Sequence, residues 1–226
     1  MNFYPVLLEA TTEARQYLLT APIIKRCFDG DFTLDHYVAF LQQAYHHVKH
    51  TVPLLMAVGS RLPEDKEWLR EAVAEYIEEE LGHQEWILND IAACGYNKEQ
   101  ARTSTPAFAT EMMVSYAYDA ISRVNPLAFF GMVLVLEGTS INLAEQAASQ
   151  IATKLALPRR AFSYLNSHGA LDQEHIKFYE NLMNRITDSD DQRVIVHAAQ
   201  RFYRLYGDIF RSLDAPHGLS LQEHAA

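Results

Sequence analysis

The chain has 226 residues, of which 49% are hydrophobic, and a net charge of −10. That length and apolar content suit one domain with a sizeable core. The acidic balance excludes a nucleic-acid surface, which needs a basic stripe, and docking on anionic lipid.

Apolar residues recur at steps of three and four almost throughout, the pattern of amphipathic helices. A first helix is predicted over about 4–19, then a short segment from Pro22 that stops near Gly30. The next runs from Thr33 past His50, with a bend expected at Pro53. Another starts at Leu62-Pro63-Glu64-Asp65 and stops at Cys94-Gly95. Residues 96–106 read as a loop, and 107–123 as a helix. Asn125-Pro126 caps a helix to about Ala156, and Pro158 opens one that continues through Ile186. Asp188 or Ser189 caps the last, which ends near Leu213. The expectation is a single all-α domain over 1–213, a bundle of seven to eight helices, with a loose tail over 214–226.

Glu9 and Glu13 precede any long apolar run, so no signal peptide is expected. The longest apolar stretch, 127–136, is too short to span a bilayer, and a cytoplasmic protein without membrane contact is expected. Cys27 and Cys94 lack C-x-x-C spacing and read as buried reduced thiols.

Three helices carry polar residues where the core seam should be apolar. The helix from Pro63 has Val73, Tyr76, Glu80, His83 and Ile87 on its seam. The helix from Pro126 has Phe130, Leu134, Glu137, Ile141 and Ala144. The helix from Pro158 has Leu165, His168, Asp172, His175 and Tyr179. Each buried ionised carboxylate costs several kcal/mol, against ~5–15 kcal/mol for a whole domain, so something must compensate. No seam supplies a lysine or arginine. Two Fe(II) ions would, and imidazole with carboxylate suits non-haem iron. Glu80, His83, Glu137, His168, Asp172 and His175 are therefore the candidate metal ligands, with Glu79 the rival to Glu80. Singly, each has a duller reading: a hydrogen-bonded core histidine, or Glu80 as part of the solvated run 78–80. Gly138, next to Glu137, is expected to let another helix approach closely.

His46 and His50 share a helix face but lack a third ligand, and read as surface or supporting groups. Arg201 and Arg204 read as surface arginines rather than a grip for a substrate carboxylate.

The motifs Glu80-Leu-Gly-His83 with Trp86-Ile-Leu-Asn-Asp90, Leu136-Glu137-Gly138, and His168-x3-Asp172-x2-His175 resemble those of the haem-oxygenase-like di-iron oxidases, within the TenA/PqqC-like superfamily. The resemblance runs from the first helix to about residue 213. It implies a haem-oxygenase-like helical bundle, a homodimer, and six ligands, three histidines and three carboxylates, holding two Fe(II) per chain. It further implies activation of O2 to attack a bond of a small-molecule substrate. Some members carry the first carboxylate seven residues before the first histidine; here that position is Tyr76. Two other readings stay open: a TenA-like thiamin-related hydrolase, which needs a reactive cysteine, and a non-catalytic binding protein on the same fold. True haem oxygenases use a histidine on the first helix, and the first histidine here is His36.

Overall fold

The computed structural model describes residues 2–222, with all side chains except those of residue 142 and residues 168–174. The described residues form an all-helical bundle of twelve α-helices, more than the seven to eight expected. Three expected helices each split in two, and a short one appears in the expected loop.

The first split lies between α1 (Phe3–Ala10) and α2 (Thr12–Leu19). There Thr11 turns its hydroxyl back onto the Leu7 carbonyl at 2.8 Å, competing with the helical ladder. Helix α3 spans Pro22–Phe28. A capping box starts α4 (Leu34–Val48): the Thr33 hydroxyl accepts from the His36 amide, and His36 Nδ1 accepts from the Thr33 amide. The break before α5 (Thr51–Arg61) leaves Pro53 third in the new helix, where an amide hydrogen has no helical partner to lose.

The third split separates α6 (Glu67–Glu80) from α7 (His83–Ala93). Gly82 sits at φ +90°, a left-handed turn open to glycine, so the run expected as one helix changes direction between Glu80 and His83. The extra helix, α8 (Lys98–Thr103), is capped by the Asn97 side chain, which accepts from the amides of Glu99 and Gln100. Helix α9 (Phe108–Asp119) closes in a π turn.

Helix α10 (Phe129–Leu155) is the axis of the bundle. It packs along α11 (Ser163–Arg185) and α12 (Ser189–Ser212), and α12 also packs on α2 and α9. The two halves of α10 bend by 46° around residue 142. Gly138, Thr139 and Ser140 precede the bend, and Thr139 bonds back to the Val135 carbonyl at 2.5 Å, both recognised causes of helix bending. The close helix approach falls one heptad before the expected site: a Cβ on Gly131 would lie 2.5 Å from the Ala199 amide nitrogen, whereas one on Gly138 would, among the described residues, meet only the Tyr203 hydroxyl at 4.0 Å. Gly131, not Gly138, lets α12 cross α10 backbone to backbone.

The core falls into two clusters that meet along α10. Residues 127–135 belong to the first, with Tyr76, Tyr179 and Phe202; Ala144, Ala148 and Ile151 belong to the second, with Tyr37, Ile87 and Phe162. Glu137 lies in the gap between them. Past α12, residues 214–222 of the segment read as a loose tail are hydrogen-bonded at several points, and residues 223–226 lie outside the described residues. Asn97 donates to the Ser220 carbonyl, Gln222 donates to the Gly95 carbonyl, and Gln100 accepts from Ser220. Among the described residues, no single helix is long and apolar enough to cross a membrane.

Candidate metal centre

The ends of α6 and α7, the middle of α10 and the middle of α11 bring five acid and imidazole groups together. Glu80 Oε2 lies 3.0 Å from His83 Nδ1, across the break at Gly82 rather than along one helical turn. His175 faces two carboxylates: its Nε2 is 3.0 Å from Glu79 and its Nδ1 is 4.0 Å from Glu137. The side chains of Glu80, His83, Glu137 and His175 are only 3–15% exposed, whereas Glu79 is 38% exposed. His83 stacks on Trp86, with ring centroids 4.1 Å apart, which holds its plane.

Four of the six ligands expected from the sequence are thus described and neighbouring. His168 and Asp172 lie outside the described side chains; both belong to α11, on the turns leading to His175. Among the described residues, no group of three or more His, Cys, Asp or Glu is placed to hold a metal ion as it stands. Glu79 and Glu80 meet different neighbours: Glu80 lines the cavity, and Glu79 meets His175.

Tyr76 is a feature that seam analysis took for core. Its ring is 2% exposed, 6.3 Å from the His175 ring and edge-on to it. Its hydroxyl is buried without a hydrogen-bond partner among the described residues. Burial above all, then the carboxylate of Glu137, pushes its pKa far up, so it is a neutral donor. A buried unpartnered hydroxyl costs about 1–3 kcal/mol, which an acceptor bound beside it would recover.

Tyr76, Glu80 and Glu137 stand in the wall of a cavity of about 150 Å³. His47 of α4 is also in that wall, edge-on to Tyr206 of α12. The rest of the lining is mainly apolar, with Thr51, Thr139, Ser140, Tyr164 and Tyr206 among it. Cys27 is there too, although its thiol is pushed up to about 11 by burial, the reverse of an activated nucleophile.

A second site at His46 and His50 is not assembled. His46 Nε2 is 2.9 Å from the Ser104 hydroxyl, and His50 Nδ1 is 3.1 Å from that of Tyr118. Ser104 donates to the Ala101 carbonyl and accepts from Gln42, so His46 carries its proton on Nε2 and leaves Nδ1 to accept from Lys49. Burial, with Lys49 next, depresses the His46 pKa from 6.5 to about 4. The unfolded chain therefore binds a proton between those values that the folded chain does not, and stability falls as pH drops from 6.5 towards 4. The slope from this one group reaches about 1.4 kcal/mol per pH unit. Urea melts between pH 7 and 4.5 are expected to show a shallower loss for His46→Gln than for the parent; equal slopes would contradict the assignment.

Arg201 and Arg204 are exposed as expected, and Arg204 stacks on the Tyr17 ring and pairs with Asp208. The residue that sequence patterning quoted without a role is Asp90. It is wholly buried on α7 and accepts at the start of α11, from the Ser163 amide at 3.0 Å, the Tyr164 amide at 2.9 Å and the Ser163 hydroxyl. The helix carrying His83 thus caps the helix carrying His175.

The bundle is that of the haem-oxygenase-like proteins. It superposes on a domain of unknown function with a heme oxygenase-like fold from Shewanella denitrificans, with a TM-score of 0.83 and 22% identity over 94% of this chain and 92% of that one. A TenA homologue from Pseudomonas syringae gives 0.77 and 12% identity over 94% and 92%. Heme oxygenase-1 from Synechocystis, in complex with heme, gives 0.74 and 12% over 95% and 93%. At those identities the likeness establishes the fold. No curated protein matches the chain by sequence. Residues 38–207 match the family described as iron-containing redox enzymes, and the chain belongs to that family.

Proposed function

We propose that the protein is a non-haem di-iron oxidase or oxygenase that uses O2 to oxidise a small-molecule substrate. The observation that carries this is the set of paired carboxylates and imidazoles, Glu80–His83 and Glu79–His175–Glu137, of which Glu80 and Glu137 stand in the cavity wall, in a chain whose family is iron-containing. The donors suit iron in kind, being all oxygen and imidazole nitrogen. Their mutual contacts also suit a site where a cation would take the place of the protons now implied between acid and base.

Glu80, His83, Glu137 and His175 would hold the metals, with His168 and Asp172 as the remaining ligands and Glu79 exchangeable with Glu80. When bound, iron would supply the electrons for reduction of O2. The chain's own residues do the rest. Trp86 fixes the plane of His83, and Asp90 ties α7 to α11 so that His83 and His175 keep a common frame. The apolar wall keeps bulk water from the reacting centre.

Two observations favour this over the alternatives. The cavity cysteine, Cys27, is held protonated by burial, whereas a TenA-like hydrolase needs it ionised. His36, the earliest histidine, is taken up in the cap of α4, within reach of Arg26 and Asp214, so it offers no haem ligand on the first helices.

Anaerobic Fe(II) titration of metal-free protein is expected to show two irons per chain. Mixing with oxygen should then give a transient visible band that His83→Ala and Glu137→Ala both abolish. Cys27→Ser should leave titration and band intact. Failure to bind iron, or equal behaviour of the ligand variants and the parent, would remove the di-iron reading. Loss of activity in Cys27→Ser alone would favour the hydrolase.

A further inference from the structure

One helix of the cavity wall differs from the others. Helix α3 puts Ile23, Ile24 and Cys27 on the cavity while Pro22, Lys25 and Asp29 face solvent, so a single helix separates the cavity from water there. It has seven residues, against 11 or more in the other wall helices. A helix so short is not stable by itself and keeps its place by packing. Its inner face borders a cavity of about 150 Å³, and side chains at a void forgo the contacts that a filled core would give them.

The polar ties of α3 are mostly its own. Among the described residues, the backbone hydrogen bonds of 22–31 are local: the Asp29 amide donates to Lys25, that of Gly30 to Cys27 and that of Asp31 to Arg26. Lys25 pairs with Asp29 on the same segment. The segment turns at both ends, at extended Ala21 and at Gly30, which takes φ +75°. Joints of a few residues are what absorbs the dihedral change of a hinged element. The tie that crosses to the far end of the chain is Arg26, whose Nη1 lies 2.5 Å from Asp214 Oδ1. His36 of α4 joins the group, with its Nε2 3.3 Å from that carboxylate and from Arg26 Nη2, and Asp31 meets Arg26 at 3.1 Å.

Asp214 is held from behind. It follows Leu213, which lines the cavity, and begins the strap of residues 214–222. His217 anchors that strap: its Nδ1 accepts from the Leu219 amide at 3.0 Å, its Nε2 lies 3.4 Å from Asp35, and its ring meets Tyr96 edge-on. Gln100 of α8 donates to the Gly218 carbonyl and accepts from the Ser220 amide. The strap thus links the Arg26 contact to α4 and to the turn between α7 and α8.

We propose that α3 is a lid over the cavity, hinged near Ala21 and Gly30 and latched by Arg26 to Asp214 of the C-terminal strap, and that molecules enter the cavity where it lifts. The proposal goes beyond the oxidase reading. It concerns access alone and requires no metal.

Cys27, on the inner face of the lid, reports its opening, and Cys94, at the end of α7, reports opening of the body. The full-length chain, with metal removed by chelation and its fold checked by circular dichroism, is alkylated with iodoacetamide at mildly alkaline pH. Both thiols are followed by peptide mass spectrometry. Where closing outpaces labelling, the rate tracks the open population. Arg26→Gln and Asp214→Asn should each speed Cys27 about threefold, the effect of one well-made exposed ion pair, and leave Cys94 unchanged. The double variant should be no faster than the faster single one, because both remove the same contact. Lys25→Gln, which breaks only the pair within the lid, should match the parent. Raising salt from ~0.05 to ~0.5 M should speed Cys27 in the parent but not in the double variant. A bulky aromatic maleimide should gain by the same factor as iodoacetamide, since a lifted helix admits both. Cys27 rates unmoved by the latch variants, or both thiols accelerated together, would overturn the lid. A gain confined to the small reagent would mean a leak rather than a lifted helix, and would overturn it as well. Fe(II) titration is read separately, so failure of the lid and failure of the oxidase reading are distinguishable.

Discussion

Gly131→Ala is expected to unfold the protein roughly 10 °C below the parent in a thermal melt. The added methyl would stand 2.5 Å from the Ala199 amide nitrogen and 2.9 Å from both the Ile195 carbonyl oxygen and the Ala198 Cβ. Two of these three neighbours are backbone atoms of α12, and no rotamer change moves them aside. The helices must separate, opening contacts on both sides of the crossing. Overpacking a tight core costs about 1–3 kcal/mol, and a backbone clash belongs at the upper end. At about 2–4 °C per kcal/mol for a chain of this size, about 3 kcal/mol gives the stated shift. Gly138→Ala is the matched control. Among the described residues its methyl would meet only the Tyr203 hydroxyl at 4.0 Å, so it should fall within about 1 kcal/mol of the parent. Equal melting of the two variants would show that the α10–α12 crossing is not set at Gly131.

Asp90→Ala should cost a similar amount and carry a second signature. The substitution strips the acceptor from the amides of Ser163 and Tyr164 and from the Ser163 hydroxyl, all at a buried helix start. Loss of a cap costs about 0.5–2 kcal/mol, and bonds to a charged acceptor are stronger than neutral ones, so about 3 kcal/mol is expected for the set. Because the bonds join α7 to α11, the loss should also loosen the frame that holds His83 and His175. Fe(II) affinity is therefore expected to fall by about tenfold or more, in line with other supporting contacts around metal ligands. Asp90→Asn keeps one carbonyl oxygen but turns an amide hydrogen toward a donor, so it should lie between parent and alanine in both readings. A variant that melts early yet binds iron as the parent does would make Asp90 a stability residue only.

The helical seams were legible before the fold was known because helix periodicity is strict and the exceptions were chemically uniform. Val73, Tyr76, Phe130, Leu134, Leu165 and Tyr179 are all buried where the period places them. The caps at Asn125 and Asp188 were legible for the same local reason, and Thr33 as a helix start. The interruption at Gly82 was not. A glycine within a helical pattern is read as tolerated, and only the structure shows that this one turns left-handed and places Glu80 and His83 on separate rods. The cavity was illegible for a different reason: its wall is drawn from α3, α4, α5, α6, α10, α11 and α12, and no sequence spacing relates Cys27 to Ile151 or Leu213. Tyr76 fits an apolar seam well enough to hide a hydroxyl that has no partner among the described residues.

The packing of α2 on α12 joins the two ends of the chain. The Tyr17 ring lies under the guanidinium groups of both Arg204 and Arg211, its hydroxyl donates to Asp208 at 2.5 Å, and Gly207 leaves the room it needs. Tyr17 and Asp208 are 191 positions apart. Each doubling of a loop adds about 0.6 kcal/mol to its closure, so this contact carries about 2.4 kcal/mol more entropy to overcome than one across a dozen residues. Its closure thus costs more chain entropy than that of local helix pairs such as α5 with α6. The same helix α12 supplies Tyr206 and Phe210 to the cavity wall, and Leu213 follows just past its end. The contact that joins the two ends of the chain therefore also completes the cavity: without α12 against α2 and α10, that part of the wall would be open to water.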